Sequence, residues 1–220
     1  MADIFREVEE DVRRDRALAF WKKYGNVLIA LALLAVAGTA AWRGWVYWQT
    51  KQSEAAGARY EQAIEDSKAG RSEEADKELQ ALASGGARGY EQLSRLRLAA
   101  ELGKSDLQGA LKAYDGIVAD TGFSTLMRDI ARLRAGMLVA DTAPLAELKT
   151  RLDPLLAPGS ALGANARELL GLAALKAGDY EAAGKWLDEI ITDQAAPASL
   201  RQRADLLLAI VRAGPVKPAS

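Results

Sequence analysis

The chain has 220 residues, of which 29 are basic and 30 acidic, giving a net charge of -1. It holds no cysteine and no histidine, which excludes disulfide scaffolds, thiol nucleophiles, Ser-His-Asp triads and the commonest zinc ligand sets. From Gly44 onward the net charge is about minus two, which leaves no electrostatic footprint for nucleic acid.

In chain order, the first predicted element is a short segment, 1–23, in which six acidic residues balance six basic ones. Ile4, Phe5, Val8 and Val12 fall on one helical stripe, so a cytoplasmic amphipathic helix is expected, either a membrane-approach segment or a docking element. The second element is the apolar run "YGNVLIALALLAVAGTAAW", Tyr24 to Trp42, without a charge. It is long enough for a membrane helix, which needs about 20 residues. Trp42, Trp45, Tyr47 and Trp48 gather at its far end around Arg43, where amphipathic rings and a lifted guanidinium suit the headgroup layer. Tyr24 marks the near end, and the span is assigned to 24–48. A cleaved signal peptide and a buried core helix are the competing readings; the long, charge-balanced leader opposes the first, and all-round apolarity the second.

Arg13, Arg14, Arg16, Lys22 and Lys23 flank the near side, against Arg43 and Lys51 on the far side. The positive-inside rule then places the N-terminus in the cytoplasm and the C-terminal domain across the membrane. In a bacterial cell this means a single pass through the inner membrane and a periplasmic domain. Ala37 and Ala41, like Ala40 and Gly44, are small residues four apart, a spacing that permits close contact with another membrane helix.

Beyond Gln49 the sequence is rich in Ala, Leu, Glu, Lys and Arg and punctuated by Gly or Pro, the pattern of an all-α domain. Helices are predicted near 49–69, 72–84, 88–102, 106–120, 124–139, 144–156, 161–177, 180–193 and 198–213. The domain is assigned to 49–213, with a flexible tail at 214–220.

A repeat emerges from "ARELLGLAALKAGDYEAAGKWLDEIITDQAAP". Gly171, Gly178, Tyr180, Ala183 and Leu187 stand at the spacing of a helical hairpin, and this unit resembles the tetratricopeptide repeat. In that motif Gly171 and Ala183 let two antiparallel helices approach, Tyr180 and Leu187 fill the gap, and Gly178 makes the turn. The offsets recur at Ala75 and Leu79 and again at Ala110 and Tyr114. Ala146 is the expected anchor of a third unit that keeps little beyond Leu145, Leu148, Leu152 and Leu155, giving intervals of 35, 36 and 37 residues between Ala75, Ala110, Ala146 and Ala183. The expected architecture is therefore one transmembrane helix followed by a degenerate tetratricopeptide-like solenoid of four helical pairs and a closing helix.

Such solenoids bind partners on a concave face lined by the first helix of each pair. Tyr90, Arg95, Arg97, Arg128, Arg132, Arg134 and Arg167, with Arg201 and Arg203, sit on those helices and are candidates for gripping acidic or carboxylate-ended segments. Ordinary solubilising charge is the competing reading. "GDYEAAGKW" has a glancing likeness to a phosphate loop, but its spacing is wrong and it lies within the best repeat. No catalytic, cofactor or metal residues are assigned.

Taken together, the "FWKKYGN" approach at Phe20 to Asn26, the single span, the "GWVYWQTKQ" exit at Gly44 to Gln52 and the degenerate repeats resemble the YfgM-like proteins, ancillary subunits of the bacterial Sec translocon. The resemblance implies a non-enzymatic adaptor or chaperone whose partners are Sec translocon subunits, periplasmic chaperones or newly exported proteins. It carries over no catalytic residue. An adaptor for envelope assembly or cell division, built on the same repeats, is the alternative, and self-association stays open.

Overall fold

The computed structural model describes residues 2–85 and 87–214, and side chains for all of these except 2–12, 15–17 and 88. The side chains of the stripe Ile4, Phe5, Val8 and Val12, and the tail beyond Gly214, lie outside what is described. The elements are α1 (Ala2–Lys68), α2 (Ser72–Gly85), α3 (Arg88–Leu102), α4 (Leu107–Ala119), α5 (Thr125–Val139) and α6 (Leu145–Leu152) with a 3-10 turn (Asp153–Leu156). α7 (Gly163–Lys176), α8 (Tyr180–Thr192) and α9 (Ala198–Ala213) follow. The described residues are all-α. The chain divides into two compact units, Met1–Ala55 and Ala56–Ser220.

In the first unit the apolar side chains of the long apolar run are exposed, Val27, Leu28, Ile29, Leu31, Leu33, Leu34 and Val36 among them. At about 1.5–3 kcal/mol for each such side chain, leaving them in water forgoes on the order of 10–20 kcal/mol. Among the described residues this is the one helix long and apolar enough to cross a membrane. Thr39 Oγ1 donates to the Ala35 carbonyl one turn back at 2.7 Å. Trp45 and Trp48 stack at 5.5 Å between ring centroids, and the Lys51 ammonium lies 5.9 Å from the Tyr47 ring.

In the second unit each helix buries a stripe. Asp106 and Asp179 cap α4 and α8 by accepting the backbone N–H of Gly109 and Ala182, both at 2.9 Å, and so satisfy donors that a helix N-terminus leaves free. Gly70 and Gly178 close the first and last pairs with φ of 81° and 76°. At both turns the next residue donates back five positions, Arg71 to Asp66 and Asp179 to Ala174, each at 2.9 Å. Only glycine takes this left-handed conformation without strain.

Ala75 and Leu79 on α2, Ala110 and Tyr114 on α4, and Ala183 and Leu187 on α8 are buried. They lie four and eight residues beyond the position preceding their helix. The third pair corrects the expected register. Ala146 is exposed, and Leu148, Leu152 and Leu155 are fully buried in its place. Pro144 starts α6, so the four-and-eight positions fall on Leu148 and Leu152. The repeat intervals become 35, 38 and 35 residues from Ala75 through Ala110 and Leu148 to Ala183. On the facing helix the next anchor, Leu152, lies against Gly136, where a Cβ would stand 2.7 Å from Leu152 Cδ2. The same close approach joins Gly171 to Leu187 at 3.1 Å. The segment expected to be helical over 144–156 tightens into a 3-10 turn at Asp153, because Pro154 has no N–H to continue the helix.

Candidate interaction surface

The arginines of the first helices are distributed between ion pairs and solvent. Arg95, on α3, donates to Asp120 Oδ2 at 2.8 Å and lies 4.6 Å from the Phe123 ring centroid. Asp120 also accepts the Gly122 N–H at 2.9 Å. The last pair repeats the device. Arg167, on α7, donates to Glu189 at 3.0 Å and stands 4.0 Å from Asp193, which accepts the Ala195 N–H at 2.9 Å. In both pairs a first-helix arginine fastens the residue that ends its second helix.

Arg97 bridges to Glu101 at 2.5 Å and to Ser67 Oγ at 3.2 Å. Arg132 pairs with Asp129 on its own helix at 2.9 Å, and Arg203 grips Glu168 of α7 through two bonds of 2.7 and 2.9 Å. Arg201 reaches the Gln194 carbonyl at 3.4 Å. Arg128 makes a long contact with Thr125 at 3.4 Å, its Nε buried and without a partner. Arg134 is exposed. Tyr90 is half-buried with its ring 6.0 Å from that of Tyr60, and its hydroxyl occupies the space a side chain at Gly57 would need.

These contacts set the electrostatics. The hydrogen bond from Arg95, with that from the Gly122 N–H, holds the Asp120 carboxyl below its ordinary range. Burial pushes Glu101 upward, but hydrogen bonds from Lys104 and Ser67 and the charge of Arg97 outweigh it and hold this carboxyl low as well. Such carboxylates are fixed anions, suited to fastening helices rather than to exchanging protons.

Two openings among the described residues lie between successive second helices. One of about 620 Å³ is bounded by Asp76 and Gln80 of α2, Leu98 and Leu102 of α3, and Gly109 and Ala113 of α4. Another, of about 530 Å³, is bounded by Leu111 and Asp115 of α4 and Glu147 and Arg151 of α6. Arg95 borders the first opening, and Arg132 borders a third, of about 390 Å³, beside Asp115 and Arg151. The remaining arginines and Tyr90 do not line these openings. The signal for the Arg95 and Arg167 contacts was present in the sequence, since Asp120 and Asp193 are each the last residue of a predicted second helix. Its meaning depended on which arginine lies within reach.

Residues 18–183 match the tetratricopeptide repeat-like domain family. No curated protein and no solved structure gives a match. The family match begins at Leu18, so it takes in the apolar stretch together with the repeats. The stacked hairpins, the glycine turns and the extent of that match agree, and the chain belongs to the tetratricopeptide repeat-like domain family, whose members are typically non-catalytic protein-interaction modules.

Proposed function

We propose that this chain is a single-pass protein of the bacterial inner membrane, an ancillary adaptor of the YfgM-like kind that works beside the Sec translocon. In this reading 1–23 is cytoplasmic, 24–48 spans the bilayer, 49–213 is the periplasmic repeat domain and 214–220 is its tail. Trp42, Arg43, Trp45, Tyr47 and Trp48 seat the span in the outer headgroup layer, with Tyr24 at the inner one. The adaptor binds periplasmic chaperones or newly exported chains as they emerge. Tethering supplies the physical advantage, because a domain confined to the membrane meets emerging chains at a raised effective concentration.

The observation that carries this reading is the pairing of an unpacked apolar helix with a repeat domain in one family match. On the concave face, Tyr90, Arg128 and Arg134 are the residues with the most freedom to meet an acidic segment, since Arg95, Arg97, Arg132 and Arg167 hold carboxylates of their own. Two measurements test it. Alkaline phosphatase fused after Ser220 should be active, and a reporter that matures only in the cytoplasm should be silent. Photocrosslinkers placed along α3, α5 and α7 in cells should capture translocon subunits or exported chains; capture of septal proteins alone would overturn the assignment.

A further inference from the structure

We infer that the groove between α2 and α4 is a docking site for a tryptophan side chain presented by an acidic segment of a partner protein. The site stands on repeat geometry alone, independent of the compartment the domain occupies.

The opening bordered by α2, α3 and α4 has an equivalent one repeat further on, bordered by α4, the end of α5 and α6. The anchors Ala110, Leu148 and Ala183 align α4, α6 and α8, so the position three residues on is Ala113, Arg151 and Trp186 in turn. In α6 and α8 that position carries a long side chain reaching toward the preceding pair. Arg151 donates to Asp115 of α4 at 2.5 Å, and Trp186 packs on the cluster that Leu148, Leu152 and Leu155 form with Leu170. In α4 there is only the methyl group of Ala113, with Gly109 and Gly116 about one turn to either side. What remains there is the opening of about 620 Å³.

The helix beneath it records the difference. Ser94, Leu98, Ala99 and Leu102 of α3 have the spacing of Ala131, Ala135, Gly136 and Val139 of α5 and of Ala166, Leu170, Gly171 and Ala174 of α7. All four are buried in α5 and again in α7. In α3 Ser94 and Ala99 are buried, but Leu98 is only half-buried and Leu102 is 37% exposed. Both leucines border the opening. The first groove thus leaves apolar surface open where the later repeats cover the corresponding residues.

The polar rim selects the occupant. Gln80 stands at the position of Asp115, five residues beyond its anchor, so the carboxylate that receives Arg151 has no counterpart here and the solution that fits is the indole of α8. Asp76, on the α2 wall, has a buried Oδ1 without a hydrogen-bond partner, an acceptor for the indole N–H. Arg95 and Glu101 are already held, by Asp120 and by Arg97 with Lys104. Among the described residues the lysines in ion pairs are Lys51, Lys104 and Lys176, which leaves Lys112 on the α4 wall free to meet an acid. Charge complementarity therefore asks for a neutral aromatic body with a carboxylate beside it.

The test uses the full chain in lipid nanodiscs and a fluorescein-labelled Gly-Ser peptide with one tryptophan between two glutamates, read by anisotropy. Saturable binding is expected, weakened at least tenfold when the tryptophan of the peptide becomes alanine. Ala113→Trp gives α4 the indole that α8 carries. It should abolish peptide binding and raise the unfolding temperature, because the groove is then filled from within. Lys112→Glu, at an exposed position, should leave the unfolding temperature unchanged and shift preference to a peptide with lysines in place of the glutamates. Absence of saturable binding, equal binding of the alanine peptide, or binding indifferent to Ala113→Trp or to Lys112→Glu would overturn the inference. A peptide with arginine in place of tryptophan that binds more tightly would overturn it too. So would self-association of the full chain that Ala113→Trp abolishes, since the occupant would then be a second copy.

Discussion

The apolar helix of the first unit and α8 of the second are built from similar aliphatic residues, yet they solve opposite problems. Leu34 is 69% exposed while Leu187 is fully buried. α8 confines its apolar residues to one stripe, which a neighbouring helix covers. The earlier helix is apolar on all sides, so a single neighbour could never cover it. Periodicity, rather than total hydrophobicity, separates a helix that packs within the repeats from one that is a candidate membrane span.

That contrast can be broken at its strongest point by truncating both leucines. Leu187→Ala should destabilise the repeat unit by about 2–5 kcal/mol, whereas Leu34→Ala should leave its denaturant midpoint unchanged. Equal effects on the chain in detergent would show that the helix packs on protein after all. Replacing Leu34 with Arg should disfavour membrane insertion by about 2.5–3.5 kcal/mol, measured by glycosylation mapping in a translocation assay, with no change in repeat stability.

Glycine sharpens the comparison within the repeats. Gly136→Ala forces a methyl against Leu152 and should cost about 1–3 kcal/mol. Gly116→Ala, on α4, meets nothing within 4 Å and should stabilise by about 0.5–1 kcal/mol through helix propensity. Ser94 is fully buried with its hydroxyl unpartnered, so Ser94→Ala should raise the midpoint by about 1 kcal/mol. Calorimetry of the three variants checks order as well as sign.

The smallest expected effect is on pH. Asp120 and Glu101 have folded-state values below their ordinary 3.8 and 4.5. Their contribution is complete above those ordinary values and is lost as pH falls through the lower folded ones. The repeat unit should thus weaken in acid, below about pH 4. Val27 to Ala41 holds no titratable group, so membrane retention should not respond over the same range. An Arg95→Gln variant should lose part of the acid dependence, which a titration of the unfolding midpoint would reveal.

Much of the fold was legible because its signals are local. Asp106 and Asp179 announce helix starts through their own backbone neighbours, and Gly70 and Gly178 announce turns through a dihedral angle only glycine takes easily. The third pair was misread because its anchor is a leucine. A rule requiring a small residue, as at Ala75, Ala110 and Ala183, places the anchor at Ala146 rather than at Leu148, two positions on.

The sequence by itself determined the helices, their turns, the repeat period and the charge-free apolar run, since each depends on residues within a few turns of one another. Tertiary structure alone decided which arginines remain available, because Arg95 finds Asp120 and Arg167 finds Glu189 across 25 and 22 residues. Pairing and coverage depend on distances in space, and local periodicity specifies a face without saying what will lie against it.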